Sequence, residues 1–221
     1  MKRALVIGAS GGIGAALVTQ LQRRGVKVHP LSRRVDGLDI TNEASLAASL
    51  GGLEPGYDLV ICATGALEGA GHPPERALKH LTAEALAAQF AVNCIGPALV
   101  LKHALRLLPR DRRAVFAVLS ARVGSIGDNR LGGWYSYRAA KAALNQVIRS
   151  GAVEMARSHP QGLCLALHPG TVATPFTDSY AGRYARQTPG EAAGHLLDVI
   201  ASLGPEDTGS FHDWRGAPVP W

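Results

Sequence analysis

A short aliphatic run, Arg3-Ala4-Leu5-Val6-Ile7, leads without a spacer into Gly8-Ala9-Ser10-Gly11-Gly12-Ile13-Gly14, and an amphipathic stretch follows at once. Few folds accept a strand that turns so tightly into a helix. The glycines let the backbone approach a ligand closely, and the helix N-terminus offers free N–H groups and the positive end of its dipole to an anion. In this strand–turn–helix setting the spacing predicts a pyrophosphate cradle, built from Gly8, Ser10, Gly11, Gly12, Ile13 and Gly14.

The rest of the chain repeats the alternation. Strands are predicted over 3–7, 26–31, 58–63, 113–119, 163–167 and 210–212, and helices over 12–24, 42–50, 82–108, 135–158 and 190–203. Gly25 is placed to end the first helix, and Thr41 or Asn42 to cap the second. This order predicts a single-domain α/β protein over 1–221, a doubly wound (Rossmann) parallel sheet with helices on both faces. Ligands in such sheets bind at the carboxyl ends of the strands.

A chain of 221 residues buries enough surface to need no staples. Its three cysteines, Cys62, Cys94 and Cys164, have neither metal nor redox spacing, so no metal site is expected and a reducing cytoplasm is the simplest setting. No apolar run reaches the ~20 residues of a membrane span. The net charge of +6 comes largely from scattered arginine pairs without interleaved aromatics, which argues against nucleic acid.

The end of the second strand selects the nucleotide. Ser32-Arg33-Arg34 stands where an NAD site would hold an acid for the ribose hydroxyls. A guanidinium grips a 2′-phosphate with two parallel hydrogen bonds, so the cofactor expected is NADP(H), with Arg33 as main contact and Arg34 assisting. Asp36 is near enough in sequence to compete for this place.

Tyr137 and Lys141 lie four residues apart, on one face of the helix predicted over 135–158. Reducing a carbonyl needs hydride at carbon and a proton at oxygen. A free phenol, with a pKa of about 10, is a poor acid–base partner at neutral pH. A lysine ammonium beside it would favour the phenolate and lower that value. Tyr135 lacks such a partner, because Ala139 lies four residues on.

The G-x-x-x-G-x-G turn together with Tyr-x-x-x-Lys after the fourth strand resembles the short-chain dehydrogenase/reductase family over nearly the whole chain. The stretch Ser120–Asn145, with Gly132-Gly133-Trp134-Tyr135-Ser136-Tyr137, and the tail ending in Pro220-Trp221 look closest to its small carbonyl-reductase branch, of sniffer-like and C-factor-like chains. The resemblance implies NADPH-dependent reduction of an aldehyde or ketone. A nucleotide-binding regulator or signalling protein with the same fold and little turnover is the alternative.

Residue by residue, the resemblance gives Tyr137 as the acid and Lys141 as a ligand of the nicotinamide ribose. Asn93, in Phe90-Ala91-Val92-Asn93-Cys94-Ile95-Gly96-Pro97, would bend its helix and hold a water that links Lys141 to solvent. Asp39 and the backbone at Ile40 would meet the adenine ring, or Asp39 would only start the following helix. Ala63, Thr64 and Gly65 correspond to the segment after the third strand. Pro169, Gly170, the Val172 backbone and the Thr174 hydroxyl would hold the carboxamide.

Four departures stand out. Ile7 replaces a threonine, Cys62-Ala63-Thr64-Gly65 replaces Asn-Asn-Ala-Gly, and Ala140 replaces a serine. Counting back from Gly124, the catalytic serine falls on Ala121. A one-residue shift would bring Ser120 or Ser125 to the carbonyl instead. Ser120, at the strand end, is preferred, and the third possibility is that neither reaches.

The substrate should be shaped by 127–134 and 176–186. Trp134, Phe176, Tyr180 and Tyr184 would line it with aromatic walls, unless they serve core or interface packing. The family also implies a homodimer, or a homotetramer, paired through 82–108 and 135–158.

Overall fold

The computed structural model describes residues 1–177 and 185–221. Strand β1, Arg3–Ile7, is followed by α1, Gly12–Arg23, and β2, Lys27–Leu31. Then come α2, Arg33–Asp36, α3, Glu43–Gly51, and β3, Leu59–Cys62. The middle of the chain holds α4, Ala83–Phe90, α5, Gly96–Ala104, β4, Ala114–Leu119, and α6, Tyr135–Ser158. Strand β5, Gly162–His168, α7, Pro189–Ser202, and β6, Phe211–Asp213, complete it.

The six strands form one sheet in the order β2-β1-β3-β4-β5-β6, every pair parallel. Parallel strands covered on both faces read as unbroken aliphatic runs. That is why Leu59–Cys62 and Ala114–Leu119 contain no polar residue and are buried throughout. Alternate side chains enter two cores. Leu5, Ile7, Val60, Phe116 and Val118 meet Leu46, Val100 and Leu144 of the helices on one face. Ala4, Val6, Ile61, Val115 and Ala117 meet Leu17, Leu21, Leu196 and Ile200 of α1 and α7 on the other. The order reverses between β1 and β3, which opens a crevice at their carboxyl ends.

Most predicted elements are present within one or two residues. Gly25 takes the left-handed conformation that ends α1, at φ 74°, and Asn42, not Thr41, caps α3 through its side chain. The single helix expected over 82–108 is instead broken into α4, a π-helical turn at Ala91–Ile95, α5 and a 3₁₀ turn. The short α2 was not foreseen.

The expectation that no segment could span a membrane needs correction. The helical stretch Ala83–Leu107, 25 residues long, is apolar enough by length and composition. Its inner side chains Val100, Leu101 and Ala104 are packed in the core, a setting that gives a core helix the same composition.

Candidate active site

The glycine turn forms a tight cradle. Gly8 has φ 87°, and a Cβ there would lie 2.9 Å from the Ala63 carbonyl carbon. A Cβ on Gly14 would lie 2.1 Å from the Gly8 oxygen, so α1 rests directly on the turn. A Cβ on Gly12 would meet Thr174 Cγ2 at 2.6 Å, which brings the loop after β5 down onto the cradle. Gly11 caps α1 with no side-chain hydrogen bond, and no acid sits in its first turn. The first N–H groups of α1 therefore face an anion site, and the space and polarity suit a pyrophosphate.

Beside the cradle opens a cleft of about 290 Å³, lined by Ser10, Pro30, Ser32, Arg34, Val35 and Asp36 among others. Ser32 caps α2, accepting from the Val35 N–H at 3.2 Å, while the Asp36 carboxylate accepts from the Ser32 N–H at 2.8 Å. Asp36 is thereby turned back onto the cap. The single turn of α2 also sorts the arginines. Arg34 lines the cleft and reaches the Ser10 carbonyl at 3.5 Å, whereas Arg33 lies toward Asp39 and helps hold its carboxyl below the ordinary value. Of the two arginines, Arg34 is the one that lines this cleft. Asp39 Oδ1 accepts from the Thr41 N–H and hydroxyl at 2.9 and 2.7 Å, the main causes of its lowered pKa. Since Asn42 is the cap of α3, Asp39 does not start that helix. Ile40 is buried, with its side chain over Gly96.

Tyr137, Lys141 and Asn145 recur every four residues along the inner stripe of α6, all buried. Lys141 Nζ donates to the Leu119 carbonyl at 2.8 Å and stands 5.8 Å from the centre of the Tyr137 ring. Burial pulls the ammonium down to about 8, with the Cys62 and Cys94 thiols opposing. Burial likewise pushes the Tyr137 phenol above its ordinary value. The expected lowering of that phenol by lysine is not seen: burial alone sets the direction, with Nζ turned to a carbonyl.

Asn93 lies in the π-helical turn and is fully buried. Its amide nitrogen donates to the Ala66 carbonyl at 2.7 Å and to Gln89 Oε1 at 2.5 Å, and its oxygen accepts from the Ala66 N–H at 3.2 Å. The local break in the helix is where the sequence placed it. The side chain grips the loop after β3, and Gly65 joins the groups: a Cβ there would lie 3.1 Å from Asn93 Oδ1 and 3.8 Å from Lys141 Nζ. Thr64 meets the Cys62 thiol at 3.2 Å.

Ser120 does not turn toward Tyr137. Its hydroxyl donates to Asn145 Oδ1 at 2.6 Å, and Ser125 Oγ accepts from the Asp128 N–H at 3.1 Å. The residue that packs with Tyr137 and Leu67 is Ala121. Gly170 has φ 77° and abuts Trp214, and Gln187 holds the loop by donating to the Pro169 carbonyl at 3.3 Å. Val172 and Gln187 form a parallel bridge. Trp134 and Phe176 meet the Tyr137 ring edge-on at 6.2 and 6.3 Å. Tyr180 and Tyr184 lie outside the described residues.

Two site features escaped the sequence reading. Gln89, one turn before Asn93, was legible only as a helix residue. Glu75 sits in a loop and is buried against the start of α6. Among the described residues no cluster could hold a metal.

Comparison with known proteins places these residues in context. A family profile described as enoyl-(acyl carrier protein) reductase matches residues 29–195. The 1-hydroxy-2-glutathionyl-2-methyl-3-butene dehydrogenase of Rhodococcus sp. (strain AD45) is 31% identical over 244 aligned positions that cover 100% of both chains. The C-signal protein of Myxococcus xanthus is 35% identical over 62% of this chain and 78% of its own. Among solved structures, NADPH-bound carbonyl reductase from chicken fatty liver superposes with a TM-score of 0.86 at 23% identity, covering 100% of this chain and 94% of that one.

Proposed function

The chain belongs to the short-chain dehydrogenase/reductase family of NAD(P)-dependent oxidoreductases acting on CH–OH and C=O groups, and from that premise we propose that it uses NADPH to reduce an aldehyde or ketone to an alcohol. The observation that carries the reading is the convergence of the glycine cradle and Lys141 on one backbone segment, Ala63–Gly65, with the Tyr137 ring 5.8 Å from the Lys141 ammonium.

In this reading the free N–H groups of α1 hold the pyrophosphate, and Arg34 takes the 2′-phosphate with Arg33 behind it. Asp36 is no competitor, because it is bonded into the cap of α2. The Val172 backbone and Thr174 fix the carboxamide, with Pro169 and Gly170 shaping the loop. Bound NADPH supplies the hydride. Tyr137, kept protonated at neutral pH by its burial, donates its hydroxyl proton to the carbonyl oxygen. Lys141 supports the ribose and favours the phenolate that remains. Asn93 holds the loop after β3 beside Lys141. Trp134, Phe176 and Ala121 give the substrate an apolar setting. Two copies pair through α4–α5 and α6, whose outward side chains include Ile95 and Val153, 49% and 52% exposed.

NADPH and NADH consumption should be followed over a panel of aldehydes, ketones and diketones, with wild type beside Tyr137→Phe. The expected result is NADPH preference and a loss in the variant of about 10²–10⁴-fold, the usual contribution of a general acid. Equal rates for the two proteins would remove the reductase reading. They would leave a nucleotide-binding signalling protein, which Ala121 and the likeness to C-signal favour.

A further inference from the structure

The N-terminus of α6, which presents Tyr137, is held by a residue from a different part of the chain. Glu75 lies in the loop between β3 and α4, and only 5% of it is exposed. Its carboxylate accepts from the Ser136 N–H through Oε2 at 3.2 Å and from the Ser136 hydroxyl through Oε1. Its backbone carbonyl accepts from the Trp134 N–H at 2.6 Å. Three hydrogen bonds accepted by one residue thus converge on Ser136, immediately before Tyr137, and on Trp134, whose ring meets that of Tyr137.

The start of α6 needs such help. Gly132, Gly133 and Trp134 are all left-handed, with φ 63°, 65° and 52°. That conformation is uncommon for a residue with a bulky side chain, and the surroundings must enforce it. Trp134 is the helix cap and has no side-chain hydrogen bond to the helix. On the outer side Arg138 Nε donates to the Gly132 and Gly133 carbonyls at 3.2 and 3.0 Å. On the inner side Glu75 supplies the acceptors that a capping side chain would otherwise give, with its charge at the favourable end of a 24-residue helix.

We propose that Glu75 is a positioning residue for the reaction: by capping α6 from the loop after β3, it fixes the height and direction of the Tyr137 hydroxyl. The same loop carries Leu67, which packs with Tyr137, and Ala66, which Asn93 grips. The proposal rests on the reductase reading above, in which Tyr137 delivers the proton.

The test compares wild type, Glu75→Ala, Glu75→Gln and Ser136→Ala in steady-state NADPH oxidation with a carbonyl substrate of the wild type. NADPH affinity is measured by fluorescence and folding by thermal melting. Glutamine can still accept from the Ser136 N–H and can donate to its hydroxyl, whereas alanine can do neither. The expected result is a kcat about 10- to 100-fold lower in Glu75→Ala, the range a misplacement near 1 Å produces, with NADPH affinity unchanged. Glu75→Gln should recover most of that loss, and Ser136→Ala should fall between them. A kcat in Glu75→Ala equal to wild type would overturn the role. So would equal losses in the alanine and glutamine variants accompanied by weaker NADPH binding and lower melting, which would mark a purely structural residue. Absence of turnover in the wild type itself would instead overturn the reductase reading on which the role depends.

Discussion

Ala121 brings only a methyl group to the Tyr137 ring, where the family's pattern calls for a hydroxyl. The neighbouring serine is turned away by its own hydrogen bond to Asn145. A carbonyl oxygen bound here would therefore receive one side-chain donor, the phenol, instead of two. Losing an oxyanion donor typically costs about 10²–10³ in rate. Ala121→Ser should accordingly raise kcat, by about 10-fold or more if the new hydroxyl finds the oxygen. Ser120→Ala should leave kcat within about twofold of wild type while lowering stability by about 1 kcal/mol, the worth of a buried hydrogen bond. Turnover assays and urea denaturation of the two variants check both outcomes. A collapse of kcat in Ser120→Ala would show that its hydroxyl leaves Asn145 for the substrate.

At the scale of elements, the single turn of α2 decides which arginine faces the cleft. Arg34→Ala should weaken NADPH binding by about 10- to 100-fold, as expected for a lost charge-assisted bond, and leave NADH binding unchanged. Arg33→Ala should have the smaller effect. Fluorescence titration with both nucleotides decides this, and the reverse order would restore Arg33 as the main contact. The pair Arg33-Arg34 was visible in the sequence, but its orientation was not. Four residues show no periodicity, and the signal for α2 was only a serine cap followed by Asp36. The central strands were legible as unbroken aliphatic runs, and α6 because it repeats one spacing over enough residues to outweigh local exceptions. Asn93 was found through the resemblance of Phe90–Pro97 to the family's segment, and it lies in a π-helical turn, where a local bend was expected. Glu75 was invisible for the opposite reason. A glutamate in a loop reads as solvated, and only the approach of α6 turns it into a buried cap. The Ser120–Asn145 bond was not legible because register along a strand end says nothing of where a hydroxyl finds its acceptor.

The molecule as a whole carries a pH sensitivity at the carboxyl edge of its sheet. His168 ends β5, and its Nδ1 is sealed from solvent without a hydrogen-bond partner among the described residues. Burial, reinforced by Arg122 and opposed by Asp213, lowers its pKa from 6.5 to about 4. The unfolded chain therefore takes up a proton near pH 6.5 that the folded chain refuses until about pH 4. The contribution to stability is complete above the higher value and disappears as the pH falls to the lower one. Between them the wild type should lose on the order of 3 kcal/mol that His168→Gln does not lose. Denaturant unfolding of both proteins at several pH values measures the difference, and parallel acid profiles would refute it.

The sheet order also has a consequence for how the chain comes into being. β1 is made first but lies inside the sheet, between β2 and β3. Once β2 and α1 have formed, β1 keeps one bare edge until Leu59–Cys62 arrives to cover it. The glycine turn has been made by that moment, whereas Tyr137 and Lys141 are still dozens of residues from synthesis, and Thr174, which closes onto Gly12, comes later still. At about 5–20 residues per second, several seconds separate the two events. The glycine turn and the proton-donating helix, neighbours across one crevice, are thus widely separated in the order of synthesis.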